Sequence, residues 1–413
     1  MITTRARLAL AAGAGARWAS RVTGRGAGAM IGGLVAMTLD RSVLRQLGAG
    51  RRTVVVTGTN GKSTTTRMTA AALGTLGPVA TNAVGANMDA GLVAALAAGR
   101  DAELAVLEVD EMHVPHVLDE VGAAVVVLLN LSRDQLDRVG EINAIERALR
   151  AGLARHRPAV VVANCDDVLM TSAAYDSPNV VWVAAGGAWV NDSVSCPRSG
   201  EVIVREKGHW YSTGADFKRP RPRWRFDDET LYGPDGLALP MRLALPGAVN
   251  RGNAAQAVAA AVTLGADPVR ALAAVSEVDE VAGRYRTVRI GRHEARLLLA
   301  KNPAGWSEAL SMVDKHVAGV VIAVNGQVPD GEDLSWLWDV RFEHFGRTAS
   351  ERCLVAAGER GTDLAVRLGY AGVEHTLVHD TMAAIASCPP GRVEVVANYT
   401  AFLQLQRALA RRG

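Results

Sequence analysis

Arg52-Thr53-Val54-Val55-Val56-Thr57 runs directly into Gly58-Thr59-Asn60-Gly61-Lys62-Ser63-Thr64. The first six residues are largely β-branched and read as a buried strand. Next comes a glycine-rich turn with one lysine and several hydroxyls. Ser63 to Leu76 then carries Ala and Leu at helical spacing, which predicts a helix. A strand, a glycine turn and a helix form the layout of a phosphate-binding loop. Glycines let backbone N–H groups converge on phosphate oxygens, and the helix N-terminus adds the positive end of its dipole. In such a loop Lys62 suits the β- and γ-phosphates and Ser63 suits Mg²⁺. Gly58, Thr59, Asn60, Gly61 and Thr64 complete the candidate nucleotide-binding stretch. The common spacing asks for glycine at position 56, where this chain has Val56, so the loop is a variant. The blander reading is a glycine turn with a chance lysine, and the strand and helix on either side argue against it.

Outward from this loop the same alternation continues. Leu104 to Val109, Ala123 to Leu129 and Ala159 to Ala163 are short apolar runs, and Ile142 to Arg155 is helical in pattern. Buried strands alternating with helices predict an α/β fold with a parallel sheet covered on both faces. The pattern lapses at about 192–227, a Gly-, Pro-, Arg- and Trp-containing stretch read as an inserted module. Helical pattern returns at Asn253 to Leu264 and Pro268 to Val275. A second α/β series starts near Arg286, with strands expected at Glu294 to Ala300, Gly319 to Val324, Cys353 to Ala356 and Arg392 to Val396. The expected organisation is a helical lead-in at 1–50, a central domain at 51–284 and a smaller C-terminal α/β domain at 285–413, divided near Gly283-Arg284.

The 413 residues are enough for two or three cores, and 49% hydrophobic with 21% charged is a normal globular balance. A net charge of +3 gives no strong nucleic-acid footprint. Cys165, Cys196, Cys353 and Cys388 contain no CxxC pair, which fits a reducing cytoplasm. Leu8 to Met37 is rich in Ala, Gly and Leu after Arg5 and Arg7. Arg17, Arg21 and Arg25 interrupt the run, so a membrane span is not expected. The segment reads as the helical lead-in, and its basic character also suits contact with anionic headgroups at the inner face of the membrane.

Three further sets of residues suit this chemistry. Glu108 ends an apolar strand, at the edge where α/β sheets put their ligands, and a carboxylate there suits Mg²⁺. With Asp110 and Glu111 following, a solvated acidic turn is the plainer alternative. Asp134 and Asp137 read equally as ligands or as first-turn helix acids. Arg284, at the domain junction, suits ATP phosphates or an ordinary surface ion pair.

Thr57-Gly58-Thr59-Asn60-Gly61-Lys62-Ser63-Thr64 resembles the signature of Mur ligases and folylpolyglutamate synthases. More of the chain resembles one branch, the MurT branch. Thr81-Asn82 with Gly85-Ala86-Asn87-Met88 resembles its substrate-side loop. Leu107-Glu108-Val109-Asp110-Glu111 resembles its metal-binding strand end, and Asn130-Leu131 with Arg133-Asp134-Gln135-Leu136-Asp137 the next strand end. Asn250 and Asn253 match paired asparagines near the nucleotide. Lys301-Asn302-Pro303-Ala304-Gly305-Trp306 and Asp333-Leu334-Ser335-Trp336-Leu337-Trp338-Asp339 resemble the branch's C-terminal domain. Many members carry a zinc ribbon with two CxxC pairs in the insertion. Here Cys196 remains as a remnant ligand, and Ser199, Ser212 and Ala215 stand at the other three positions. Structural zinc is therefore not expected, since it normally takes four closed N or S ligands. Packing of Trp210, Tyr211, Phe217 and Trp224 must then hold the module, unless it is partly mobile.

The resemblance implies a Mur-type ATP- and Mg²⁺-dependent ligase acting in peptidoglycan biosynthesis. ATP phosphorylates the D-glutamate α-carboxylate of lipid II, and ammonia displaces phosphate to leave D-isoglutamine. It also implies a GatD-type glutamine amidotransferase partner that releases the ammonia, with an Asp of this chain completing the partner's catalytic triad. Asp330 and Asp333 are the candidates. Asp333 is favoured because it abuts the Ser335-Trp336 run, whereas Asp330 sits in an Asp-Gly turn pair. Trp336 and Trp338 read either as interface anchors or as core. No cysteine lies in a nucleophile elbow, which agrees with a glutaminase on another chain. Two other readings stand beside this one: a stand-alone Mur or folylpolyglutamate-type amino-acid ligase, and a non-enzymatic ATP-binding scaffold.

Overall fold

The computed structural model describes residues 2–22, 29–82, 86–133, 141–187, 189–279, 285–314, 316–317, 319–330, 333–346 and 353–411. Arg25, Gly85, Asp134, Gln135, Leu136, Asp137, Gly283 and Arg284 lie outside the described residues. Two compact units fall within the chain, one inside Met1–Leu131 and Gly140–Asp279, the other inside Ser132–Val139 and Glu280–Gly413.

The first unit opens with α1 (Thr4–Val22), α2 (Ala29–Leu39) and α3 (Val43–Gly48). Ala6, Ala9, Leu10, Ala36, Val43, Leu44 and Leu47 from these helices join the core cluster that also holds Val55, Leu107 and Val126. The lead-in is therefore packed onto the nucleotide-loop unit. Its sheet contains β1 (Arg52–Thr57), β2 (Val79–Thr81), β3 (Leu104–Glu108), β4 (Val125–Leu128), β5 (Val160–Asn164) and β6 (Val180–Val183). The order is β2-β3-β1-β4-β5-β6, with every pairing parallel. β3 and β4 are buried at every position, as the continuous apolar runs require of a sheet covered on both faces. The helices α4 (Lys62–Leu73), α5 (Asp89–Ala98), α6 (Val114–Val121), α7 (Glu141–Arg155) and α8 (Val168–Ala174) alternate with the strands. Strand order reverses at β1, and open α/β sheets bind ligands at the carboxyl ends of the strands beside such a switch. Register places Val56 opposite Glu108 and Thr57 opposite Leu128, so the phosphate-loop sequence leaves the sheet at that switch.

The aperiodic stretch and the residues after it as far as Pro240 form small antiparallel pieces. β7 (Ile203–Glu206) pairs with β8 (His209–Ser212), and β9 (Arg225–Phe226), β10 (Thr230–Tyr232) and β11 (Ala238–Pro240) make a second sheet. Cys196, Ile203, Trp210 and Phe217 pack on Val168 of α8. The Trp210 indole N–H donates to Cys165 O at 2.9 Å. Trp224 is buried as well, but Tyr211 is 37% exposed, so it does not serve the packing expected of it. The first unit ends with α9 (Ala248–Thr263), which packs on α4, and α10 (Pro268–Ser276).

The second unit contains β12 (Tyr285–Ile290), β13 (His293–Leu299), α11 (Pro303–Met312), β14 (Gly319–Ala323), α12 (Glu343–Gly346), β15 (Cys353–Ala357), α13 (Gly361–Tyr370), β16 (Thr376–Leu377), α14 (Thr381–Ser387), β17 (Gly391–Ala397) and α15 (Tyr399–Ala410). Its sheet order is β12-β13-β17-β14-β15-β16, parallel except for the β12–β13 hairpin. Trp306 stacks on Trp336 with ring centroids 5.4 Å apart, inside the core on one face of this sheet.

Candidate functional site

The turn from β1 to α4 depends on two glycines. Gly58 has φ +146°, and a Cβ there would lie 2.8 Å from the Leu129 Cβ and 3.0 Å from the Asn130 nitrogen. Gly61 has φ +81°, and its Cβ would lie 3.0 Å from Asn253 Oδ1. A side chain at Gly58 is excluded by conformation and by space, and one at Gly61 is strained by conformation and would press on the Asn253 amide. The contact at Gly61 also puts Asn253 of α9 against the loop. Asn253 Nδ2 lies 3.4 Å from Asn250 Oδ1, and Asn250 Nδ2 donates to Pro246 O at 2.6 Å. The two asparagines quoted from sequence are thus one turn apart on α9 and next to the glycine turn.

A third asparagine holds the loop from the other side. Thr59 N donates to Asn130 O at 2.9 Å, and Asn60 N donates to Asn130 Oδ1 at 2.9 Å. Asn130 Nδ2 returns a bond to Asn60 O at 3.0 Å. Asn130 follows β4, so the sheet itself fixes the loop. In sequence Asn130 reads only as a strand end, without this bracing part. The signal available was an amide directly after an apolar strand beside the loop strand.

Lys62 begins α4 and is buried. Its ammonium donates to Gly58 O at 2.5 Å, Thr59 O at 3.3 Å and Glu111 Oε2 at 3.1 Å. Ser63 and Thr64 are buried in the first turn behind it. Glu108 ends β3, directly beside Val56 in register, and is 2% exposed. The solvated acidic turn therefore fails for Glu108. Its backbone is clamped by Asn82, whose Nδ2 donates to Glu108 O at 2.8 Å and whose Oδ1 accepts from Glu108 N at 2.8 Å. Among the described residues, Glu108 Oε2 is a buried carboxylate oxygen without a hydrogen-bond partner. Buried polar atoms are normally satisfied, so an unpartnered carboxylate oxygen is what a metal-binding position leaves on the protein side. Burial, oxygen chemistry and position at the strand end all fit Mg²⁺ with a nucleotide phosphate. Gln256 of α9 donates to Leu128 O at 2.8 Å and joins the helix to the β4 end.

In the second unit the two candidate acids have different surroundings. Asp330 accepts from Thr400 N at 2.9 Å, pairs with the Thr400 hydroxyl, and accepts from Gln327 N at 3.4 Å. It thereby holds the first turn of α15. Asp333 is exposed and accepts from Ser335 N at 2.8 Å and Ser335 Oγ at 3.0 Å. Trp336 is core, whereas Trp338 is 56% exposed and meets Tyr370 edge-on at 5.3 Å between centroids. Val328, Val366 and Tyr370 are exposed too.

At the remnant zinc position, Ser199 Oγ lies 3.2 Å from Ser212 Oγ beside the buried Cys196. Burial raises the Cys196 thiol. Hydrogen bonds from the Ser199 hydroxyl, the Arg198 and Ser199 N–H groups and the Ser212 hydroxyl outweigh it and hold the thiol below its usual range.

A parallel sheet with a braced glycine loop at its switch point, a buried lysine and an unpartnered strand-end carboxylate defines an α/β protein built to hold a nucleotide phosphate. The Mur ligase middle domain matches residues 56–261 and the MurT ligase C-terminal domain matches residues 299–402. The chain belongs to the Mur ligase family, in its MurT branch. It is 29% identical to the lipid II isoglutaminyl synthase (glutamine-hydrolyzing) subunit MurT of Streptococcus pneumoniae (strain ATCC BAA-255 / R6), over 94% of this chain and 93% of that one. Identity to the subunit of the same name from Staphylococcus aureus (strain N315) is 28%, over 96% of each chain. The fold resembles that of a pseudomurein peptide ligase type C from Methanothermus fervidus, with a TM-score of 0.68 at 18% identity, covering 90% of this chain and 81% of that one.

Proposed function

We propose that this chain amidates the D-glutamate α-carboxylate of lipid II. In this reaction the γ-phosphoryl of ATP passes to the carboxylate, giving an acyl phosphate. Ammonia attacks the acyl carbon, phosphate leaves, and the amide remains. The observation that carries the reading is the buried, unpartnered Glu108 oxygen at the strand end beside the loop strand. Ser63 and Glu108 would hold Mg²⁺, which supplies charge neutralisation at the transferring phosphoryl group. Lys62 neutralises phosphate charge, and the loop N–H groups orient the oxygens. Asn130 holds the loop in place, and Asn250 and Asn253 of α9 complete the nucleotide surroundings beside it.

The nitrogen comes from a GatD-type glutamine amidotransferase subunit, and Asp333 is the acid lent to its triad. Support comes from the contrast between the two candidates. Asp330 is occupied at the start of α15, whereas Asp333 is exposed and stands five residues before Trp338, an exposed aromatic suited to a partner contact. An acid placed against a histidine fixes its tautomer and stabilises the imidazolium. The lipid-linked substrate calls for contact with the membrane surface. No described helix is long and apolar enough to cross a membrane. Leu8, Trp18 and Leu34 are exposed on α1 and α2, and Arg5, Arg7, Arg17 and Arg21 lie on α1, a composition suited to anionic headgroups. Liposome binding that survives charge reversal of Arg17 and Arg21 would remove that docking role.

The test is lipid II amidation by the co-purified chain and partner, with ATP and glutamine, for wild type and Lys62→Ala. Amide and ADP should form together in wild type and fall together in the variant. Amino-acid addition by the chain alone would instead establish the stand-alone ligase, and nucleotide binding without turnover would establish the scaffold.

A further inference from the structure

A second cluster of metal-type donors lies in the first unit, and no part of the proposed amidation uses it. Asp89 is the first residue of α5. His113 immediately precedes α6, and His116 is on the first turn of that helix. The Asp89 carboxylate sits between the imidazoles, with Oδ1 2.6 Å from His113 Nε2 and Oδ2 3.0 Å from His116 Nε2. The rings are 4.9 Å apart between centroids, tilted by 47°. One ligand atom from each residue can be chosen so that all lie within 4.8 Å of one another.

Chemistry narrows what such a cluster takes. Two imidazole nitrogens and one carboxylate suit a first-row transition ion, whereas Mg²⁺ prefers oxygen ligands throughout. Zinc bonds of about 2.0–2.1 Å place neighbouring tetrahedral ligands about 3.3 Å apart, near the two spacings between Asp89 and the imidazoles, and the whole set within 4.8 Å needs only a small closure. The two segments are also held before any ion arrives. Asp110 N donates to Asn87 O at 3.3 Å, and His113 N and Val114 N donate to Asp110 O at 2.9 and 3.1 Å. His113 and Asp89 are partly buried and His116 is exposed, which leaves one side open for entry and for water ligands.

We propose that Asp89, His113 and His116 form a binding site for a divalent transition-metal ion, with Zn²⁺ as the leading candidate. The bound ion would tie the α5 N-terminus to the turn carrying Glu111, the partner of Lys62.

The test uses the full chain, stripped with chelator and titrated with Co²⁺, with bound metal counted after dialysis. Wild type should take up one equivalent with ligand-field absorption in the visible, displaced by Zn²⁺. His116→Ala, at an exposed position, removes a direct ligand and should lower affinity by roughly 100-fold or more, since loss of an outer-shell partner alone costs about 10–100-fold. His113→Ala should behave alike, and Cys196→Ser should bind as wild type does. Circular dichroism checks that each variant is folded. The proposal is overturned if folded His116→Ala and His113→Ala bind Co²⁺ as wild type does, if wild type binds none, or if the metal is lost with Cys196→Ser. The assay needs no nucleotide, lipid or partner, so its outcome is separate from that of the amidation assay.

Discussion

Lys62 Nζ lies 3.1 Å from Glu111 Oε2, and both side chains are about nine-tenths buried. A buried lysine is thus held by one carboxylate and two loop carbonyls, at the place where phosphate charge would bring a competitor. Glu111→Gln keeps the volume and removes the counter-charge. Removing one partner of a buried pair should lower stability by about 3 kcal/mol. It should also tighten nucleotide binding, because Lys62 is no longer shared with an acid. Thermal melts and titration with a fluorescent nucleotide check both effects. Unchanged stability and affinity would mean that the pair contributes neither.

Asn130 accepts from Asn60 N and donates to Asn60 O, which makes it a two-way brace. Asn130→Ala should cost about 1–3 kcal/mol through the unsatisfied loop groups. Asn130→Asp keeps the acceptor but loses the donor, so it should fall between wild type and alanine in stability. Its added negative charge should weaken nucleotide binding more than alanine does. Melting temperatures and nucleotide affinities measured on the two variants separate bracing from charge.

Asp330 and Asp333 should respond unequally to replacement by asparagine. Asp330→Asn weakens the Thr400 contacts and should destabilise the second unit by about 1–3 kcal/mol. Asp333→Asn, at an exposed turn, should stay within about 0.5 kcal/mol of wild type. Chemical denaturation followed by tryptophan fluorescence distinguishes them, since Trp306 and Trp336 report on that core.

Hydrogen bonds from Ser199, Arg198 and Ser212 should let Cys196 ionise below the ordinary range of a free thiol, while burial pushes Cys165 up to about 12. The difference in thiolate absorbance between wild type and Cys196→Ser isolates this group. Replacing both Ser199 and Ser212 with alanine should move the transition to higher pH. The sign for stability follows from a folded value below the unfolded one. The contribution is fully present above the unfolded value and is lost as pH falls through the folded value.

The central sheet was legible because its strands are continuous apolar runs, and the expected ends at Arg52, Leu104 and Thr57 coincide with those of β1 and β3. β2 and β6 were not anticipated. They are short and only partly buried, so their pattern is weak. The glycine loop could be read because Gly58 and Gly61 meet a conformational demand that other residues cannot. The Asn130 brace and the Lys62–Glu111 pair depend on which strand ends are neighbours, which the sheet order determines and residue spacing does not record. Asp333 is favoured in sequence by its place beside Ser335-Trp336, and the approach of Thr400 to Asp330, seventy residues away, adds a distinction that spacing does not record.

The most direct measurement is lipid II amidation by the complex of chain and partner, with glutamine or with ammonium as the nitrogen source, for wild type and Asp333→Asn. Wild type should form amide from either source at the expense of ATP. The variant should lose the glutamine reaction and keep the ammonium one. Amidation from neither source by the wild-type complex would contradict the proposed function, and a variant that still uses glutamine would remove Asp333 from the triad.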